Sequence, residues 1–346
     1  MGRRDRPQDD HARRRLSVRY LLRKLVFYVV ALWAALTLNF LIPRLMPGNP
    51  VDLMLSKLAT KGPVTPTTRA AIQALLGTDA NGSLWEQYGK YLHQLVSGNL
   101  GTSIAYFPAP VSQVIGQTLP WTVGLIGLAT LISFAVGILL GRAAGWRRGS
   151  WVDNLIPVTT MLQSVPYFWL ALLLLFLLGS TWPLFPLNGG YDVYSVTRGW
   201  NLPFAQSVLY HGALPALTIV ISSIGGWMLG MRNMMVSTLS EDFVVTAEAK
   251  GLTPRRIRSR YVARNAILPS ISGFAISLGF VVAGSIVTEA VFSYPGIGSA
   301  LLLAVGNNDY ALMQGVFLII TLAVLGANLL VDLLYGVIDP RNRARS

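Results

Sequence analysis

Apolar residues in this chain come in long runs rather than in alternation with polar ones. The runs cover about Leu21 to Met46, Thr118 to Ala144, Asn154 to Leu178, His211 to Met235, Ser270 to Phe292 and Leu312 to Ile338. Each reaches about twenty residues or more, the length a helix needs to cross a hydrocarbon core of about 30 Å. The pattern predicts an all-α polytopic membrane protein with six transmembrane helices. Residues 1–19 form a basic tail without apolar periodicity, expected to be disordered. Residues 20–46 are the first span, 47–117 an external insert, 118–338 a five-span core with an internal hairpin at 240–265, and 339–346 a second basic tail.

Breaks between the runs are chemically marked. Pro47-Gly48-Asn49-Pro50 cannot continue a helix and ends the first span. Within the insert, Ser83 and Glu86 have capping-box spacing, and Leu84, Tyr88, Leu92, Leu95 and Val96 mark one helical face that Gly98 terminates. A short amphipathic helix lying on the outer membrane surface fits that face. Gly137, Gly141 and Gly145 recur at four-residue steps, as do Ala275, Gly279 and Ala283, and such stripes let a neighbouring helix approach closely. Pro157 and Pro166 predict bending of the third span.

Composition sharpens this picture. The 346 residues are 53% apolar and 12% charged, against roughly 45–50% and 25% in soluble domains. A formal charge of +13 raises nucleic acid as a partner, and its distribution argues against one. Of 28 Lys and Arg, nine precede Val26, three lie in 142–148, seven in 232–264 and three after Asp339, leaving six elsewhere. That asymmetry follows the positive-inside rule and predicts cytoplasmic N- and C-termini. The charged N-terminal tail is too long for a typical signal peptide, and no small-residue cleavage site follows, so the first span is expected to stay as an anchor. Cysteine is absent, which removes disulfide and thiol chemistry.

The basic segment Ser240–Pro269 reads as a helical hairpin outside the bilayer. Ser240, or Thr238 with Glu241, is expected to cap its first helix, and Gly251 to close it in the left-handed conformation. Thr253-Pro254 restarts a second helix, with Ile257, Tyr261, Asn265 and Leu268 on one face and Arg255, Arg256, Arg258 and Arg260 around the others. Adhesion to anionic lipid and docking of a protein partner both fit such an element.

Catalytic signatures are missing. There is no G-x-x-x-x-G-K-[ST] phosphate loop, no HExxH, no GxSxG and no Cys/His ligand cluster, and His11, His93 and His211 are scattered. The chain is expected to be a non-catalytic subunit that binds no cofactor or metal itself. Glu289, near the outer end of span five, is the one acidic group expected in apolar surroundings there, in a structural or gate-lining role ahead of proton coupling. Asp332 is expected to pair with an arginine of the inner loops. Polar candidates for a translocation path or gate are Gln163, Ser164, Ser223, Ser277, Ser285, Glu289 and Tyr294. The serines and Gln163 serve equally as interhelical hydrogen-bonding residues.

The hairpin run AEAKGLTPRRI…RNAILP resembles the EAA-type loop of ABC-importer permeases. Its long spacing between Gly251 and Leu268-Pro269 matches the dipeptide/oligopeptide/nickel branch. RLMPGNPV, SLWEQYGKYLHQLVSGNLGTSI, QSVPYFWLALLLLF, HGALPALT, VFSYPGIG and DLLYGVIDPRNR resemble the same branch in order, from about Leu21 to Asn342. The resemblance is to the B-type transmembrane permease subunit of dipeptide/oligopeptide importers. It implies the type I ABC importer permease fold, with an extracytoplasmic insert between helices 1 and 2 that helps cover the outer mouth and meets the binding protein. It implies a bacterial inner-membrane location, and a homologous C-type permease, two ABC ATPase subunits and an extracytoplasmic substrate-binding protein as partners besides membrane lipid. ATP and Mg would be bound by the ATPases. Ala247, Glu248, Ala249, Lys250, Gly251, Leu252, Thr253 and Pro254 are implied as the ATPase-coupling residues. A stand-alone channel or secondary transporter is the alternative, and it requires buried acidic or histidine chains across several spans, of which only isolated candidates exist. A structural membrane scaffold is a third reading.

Overall fold

The computed structural model describes residues 8–59, 65–76, 83–282 and 286–338. Among these the backbone is almost all helix, with only an isolated antiparallel bridge between Thr102 and Pro110. Four helices are long and apolar enough to cross a membrane: Leu22–Arg44, Val111–Trp146, Leu202–Leu239 and Tyr310–Asp332. Two bent helix pairs, Leu155–Ser164 with Tyr167–Thr181 and Pro254–Ala266 with Leu268–Val281, bring the candidates to as many as six; in the second pair Leu268–Val281 is the apolar part, and Pro254–Ala266 belongs to the hairpin before it.

The first helix begins at Gln8, so most of the tail expected to be disordered is helical; residues 1–7 lie outside the described ones. Adding turns to an existing helix is far easier than nucleating one, which lets the apolar span extend into the polar tail. Spans two and four form the central pair, and the glycine stripe is the reason. A Cβ on Gly137 would lie 2.6 Å from the Cβ of Trp227, and one on Gly141 or Gly145 would collide with Met228 and Met231 or with Met235. Gly279 does the same for span five against Ala327 of span six. Ala283 falls outside the described residues.

Span three breaks by 100° between Ser164 and Tyr167. Pro166 is responsible, because the residue before a proline is pushed out of the helical region and Val165 is extended, with ψ 129°. Pro157, also expected to bend this span, does not: it is the third residue of its helix, where the missing N–H has no intrahelical partner to lose. Span four starts at Leu202, capped by Asn201 accepting from Phe204 N–H, so His211 lies inside it and bonds the Ser207 carbonyl through Nδ1 at 2.8 Å.

Among the described residues of the insert, three helices precede span two: Pro50–Ala59, Pro66–Leu76 and Leu84–Val96. The last has the expected capping box between Ser83 and Glu86 and ends at Gly98, whose φ is +72°. Its inward face is Tyr88, Tyr91, Leu92 and Leu95, while Leu84 and Val96 are exposed. It docks on span one rather than lying free. Tyr88 shares a hydrogen bond with Thr37 at 2.8 Å, Asn39 donates to Tyr91 at 3.2 Å, and Phe40 packs edge-on against Tyr88. Burial pushes the Tyr91 hydroxyl up to about 12, so it stays neutral and accepts the Asn39 bond at physiological pH.

Candidate functional site

The internal hairpin starts where span four stops. Ser240 and Thr238, expected to cap the hairpin's first helix, instead bond back to the Ser237 and Met234 carbonyls of span four. The helix runs Asp242–Ala249 with Glu241 at its N-cap and no side-chain cap bond. Both are local bonds, from a hydroxyl to a carbonyl three or four residues back, that compete with capping of the next helix.

Gly251 closes this helix as expected, with φ +72°. Its N–H donates to the Glu248 carbonyl at 2.8 Å, and the Leu252 N–H donates to the Ala247 carbonyl at 3.3 Å. That pair of crossed bonds is the Schellman motif, and Leu252 packs in the same apolar cluster as Ala247. Thr253 stands at the next N-cap with Pro254 at the first helical position, though its hydroxyl makes no cap bond.

The second arm departs from the expected face. Buried positions are Ile257, Val262, Ala263 and Ala266, whereas Asn265 and Leu268 are exposed and Tyr261 is half-buried. Residues Ile257–Val262 form a π-helical turn, which inserts one residue and moves the inward position from i+4 to i+5. Val244 and Ala247 of the first arm join this cluster, together with Ile138 of span two and Met231 and Met235 of span four. Fully burying a valine or isoleucine is worth roughly 1.5–3 kcal/mol, so Val244, Ile257 and Val262 together hold the hairpin to the two central spans with several kcal/mol.

Anchoring divides the eight implied coupling residues. Ala247 is buried and Leu252 half-buried, so both face the protein; Glu248, Ala249, Lys250, Gly251, Thr253 and Pro254 are exposed. Phe243 and Val245 are exposed beside them. The outward surface is therefore an elbow with apolar, acidic and basic groups next to one another. Asp153, from the loop between spans two and three, braces span four nearby through Arg232 at 3.1 Å. That bond, helped by the Gly149 N–H, holds the Asp153 carboxyl below the usual carboxylate range.

The path candidates do not gather into one lining. Ser285 lies outside the described residues. Ser164 and Ser277 bond the Thr160 and Phe274 carbonyls of their own helices at 3.1 and 2.7 Å. Ser223 bonds its own Ile219 carbonyl and shares a bond with buried Ser133 of span two at 2.9 Å. Gln163 is exposed and lies over Gly226, whose Cβ would sit 3.1 Å from its Nε2. Glu289 and Tyr294 do come together, but inside the protein. Glu289 Oε2 accepts from the N–H groups of Gly298 and Ser299 at 2.7 and 3.1 Å, and Oε1 accepts from Thr122 at 2.7 Å. A fully buried carboxylate thus caps the helix Ile297–Gly306 and ties it to span two. The Tyr294 N–H donates to the Glu289 carbonyl oxygen at 2.8 Å, and its ring packs edge-on against Trp121.

Two further locks were not anticipated. Buried Asp309 accepts from Leu312 N–H at 3.0 Å at the start of span six, and from Ser103 and the Ala105 N–H of the insert. Asp332 pairs with Lys24 at 2.9 Å and Tyr28 at 2.8 Å, joining span six to span one rather than to an inner-loop arginine. Asp332 was legible in the sequence as a charge that needs a partner; that the partner would come from span one was not. Among the described residues no group of three or more His, Asp or Glu is placed to hold a metal.

Comparison with known proteins agrees with this architecture. Residues 137–344 match the family model described as the binding-protein-dependent transport system inner membrane component. The chain is 31% identical over 343 residues to the dipeptide transport system permease protein DppB of Escherichia coli K12, covering 94% of this chain and 99% of that one. It is 31% identical over 338 residues to the di/tripeptide transport system permease protein DppB of Pseudomonas aeruginosa UCBPP-PA14, covering 94% and 98%. A Brucella suis chain carrying a peptide permease name is 34% identical over 325 residues, with 94% and 98% covered. With four long apolar helices and two bent apolar pairs, an anchored hairpin between spans four and five, and matches along nearly its whole length, this chain is a multi-pass membrane protein of the binding-protein-dependent transport inner membrane family.

Proposed function

We propose that the chain is the permease subunit of an ATP-driven peptide importer, and that it supplies one half of the path and receives force through the Glu248–Pro254 elbow. A homologous second permease completes the path, two ABC ATPases bind ATP and Mg, and a binding protein delivers substrate at the outer face. The names of the relatives support peptides as cargo. Positive charge on alternate connections supports cytoplasmic termini and a cytoplasmic hairpin.

One observation carries the reading: the elbow is exposed while both arms behind it are buried against spans two and four. A lever has to be free at its tip and fixed at its root. Moving a two-state gate from 1:99 to 99:1 takes about 5.5 kcal/mol of differential binding. The roughly 1.5–3 kcal/mol from each of Val244, Ile257 and Val262 is of the same size, so force on the tip can move the spans before the hairpin peels away. The insert, docked on span one and locked to span six by Asp309, supports a role as an outer cover facing the binding protein.

Reconstituting the permease pair with its ATPases and binding protein tests this. Glu248→Arg should insert and assemble in the membrane while losing most substrate uptake per ATP hydrolysed. Normal uptake in that variant, or flux by the permeases without ATPases, would refute the proposal.

A further inference from the structure

The central pair, spans two and four, is packed differently at its two ends. At the hairpin end the glycine stripe presses the backbones together: a Cβ on Gly141 would overlap the Met228 carbonyl, and one on Gly145 would lie 2.5 Å from the Cβ of Met235. At the other end there is room. A Cβ on Gly212 of span four would lie 3.8 Å from its nearest neighbours, Leu125 Cδ1 and the Tyr294 hydroxyl, and Gly116 and Gly124 of span two have nothing within 4 Å. Backbones locked at one end and in ordinary contact at the other part most easily at the loose end.

Segment 182–201, between spans three and four, closes that loose end. It is hydrogen-bonded to span four: the Asp192 N–H donates to Ser207 Oγ at 2.9 Å, and the Tyr210 hydroxyl donates to the Leu184 carbonyl at 2.9 Å. The Asp192 carboxylate is used within the segment, on the N–H groups of Tyr194 and Ser195 and on the Ser195 hydroxyl. Towards span two the contacts are rings. Tyr191 stacks on Trp121 at 6.0 Å and 7°, Phe204 at the start of span four meets Trp121 edge-on at 6.3 Å, and Arg198 lies 5.9 Å over the same ring. Gly190 fits against Pro295 and Trp121, where a Cβ would lie 2.9 Å from each. A hydrogen bond crosses the seam from the Gly189 N–H to the Phe292 carbonyl at 3.0 Å. Deeper in, the seam is apolar, with Leu125, Leu214 and Tyr294 in one buried cluster.

The insert is held by directional bonds instead. Fully buried Asp309 accepts from Ser103 and the Ala105 N–H, and the Tyr310 hydroxyl donates to the Gly48 carbonyl at 3.1 Å. Asn39 of span one donates both to Tyr91 of the insert and to the Gln314 carbonyl of span six. Parting the insert from span six strips a buried carboxylate of its donors, which is costly. Stacked rings tolerate an offset, so Tyr191 and Arg198 can leave Trp121 and return to it at little cost. We propose that segment 182–201 is the moving lid of the outer mouth: it travels with span four and leaves Trp121 when the gate opens, while the insert stays fixed to spans one and six. This rests on the importer reading above, which puts this end outside, and it names the part of the chain that opens there.

Two cysteine pairs test the lid in the reconstituted importer, introduced into a chain that has no cysteine of its own. Gly190→Cys with Pro295→Cys ties the lid down, the new side chain at 190 entering the space that the Pro295 ring gives up. Gly101→Cys with Ala311→Cys ties the insert to span six, where the two Cβ atoms would be 3.4 Å apart, near the separation found in disulfides. Uptake of a labelled dipeptide is measured after oxidation and again after reduction, so that each variant is its own baseline. The lid pair should lose uptake on oxidation and recover it on reduction, and the insert pair should transport equally well in both states. Full uptake with the lid disulfide closed, or loss of uptake with the insert disulfide closed, overturns the inference. A single thiol covers the case in which the lid pair does not assemble. Gly212→Cys fits beside the Tyr294 hydroxyl without collision, and its labelling by a water-soluble maleimide should accelerate severalfold when a non-hydrolysable ATP analogue is added. An unchanged rate there also overturns the inference. An unaltered importer that takes up no dipeptide with ATP refutes the function proposed above, and the lid with it.

Discussion

Gly251 offers a graded perturbation of the elbow. Its φ of +72° is left-handed, and an added Cβ there would meet nothing within 4 Å. Substitution therefore acts through the backbone alone. A non-glycine residue in this conformation costs roughly 1–2 kcal/mol, and asparagine less. Proline is a different case: its φ is fixed near −65° and it has no N–H, so it destroys both the turn and the 2.8 Å bond to Glu248. If the cost is expressed in ATPase docking, Gly251→Ala should weaken it about 5- to 30-fold. Gly251→Asn should lie between alanine and the unaltered protein, and Gly251→Pro should abolish coupling. The assay is substrate taken up per phosphate released in proteoliposomes with the binding protein inside its working range. Wild-type coupling in the proline variant would refute the reasoning. Equal losses in alanine and proline would refute it too, because an open site gives alanine no steric penalty.

Other outcomes follow from the locks. Glu289→Gln replaces one carboxylate oxygen by a donor facing Thr122, whose hydroxyl oxygen already accepts from Ile297 N–H at 2.7 Å. The cost should be about 1–3 kcal/mol, read as a lower thermal unfolding temperature in detergent, with Glu289→Ala lower still; an unchanged temperature would contradict the cap. Gly141→Leu forces apart the backbones of spans two and four and should prevent assembly of a stable permease, as seen by gel filtration, whereas Gly230→Leu, with open space around it, should be tolerated. The carboxyl of Asp153 is lowered in the folded protein, chiefly by Arg232, so its contribution is full above the unfolded value of about 3.9 and is lost as pH falls through the lower folded value. Asp153→Asn should flatten stability against pH in that acidic window and leave its shape near neutrality unchanged.

Runs of apolar residues placed the spans because the bilayer imposes a length that few other environments demand. Gly137, Gly141 and Gly145 announced a close helix contact, and Gly251 announced a left-handed turn, because each uses a property unique to glycine. What stayed hidden depends on tertiary partners. The π turn at Ile257–Val262 moved the buried face to Val262 and Ala266, and periodicity counted in 3.6-residue steps is blind to one inserted residue. Ser240 and Thr238 looked like caps for the next helix, but carbonyls of the preceding one took their hydroxyls. Glu289 was legible as a buried acid; that its partners would be Gly298, Ser299 and Thr122 requires knowing that the chain doubles back at Tyr294-Pro295-Gly296. Asp309 gave no signal at all, since its insert partners lie about two hundred residues away in the sequence.

The absence of cysteine makes the central claim directly measurable. Ala249→Cys puts a single thiol on the exposed side of the elbow, and its rate of labelling by a water-soluble maleimide can be compared in the permease pair alone and in the complex with ATPases. The account predicts fast labelling in the pair and strong protection in the complex, with a control thiol at Ser195→Cys, on the exposed loop between spans three and four, unaffected. Equal labelling of Ala249→Cys with and without bound ATPases would contradict it.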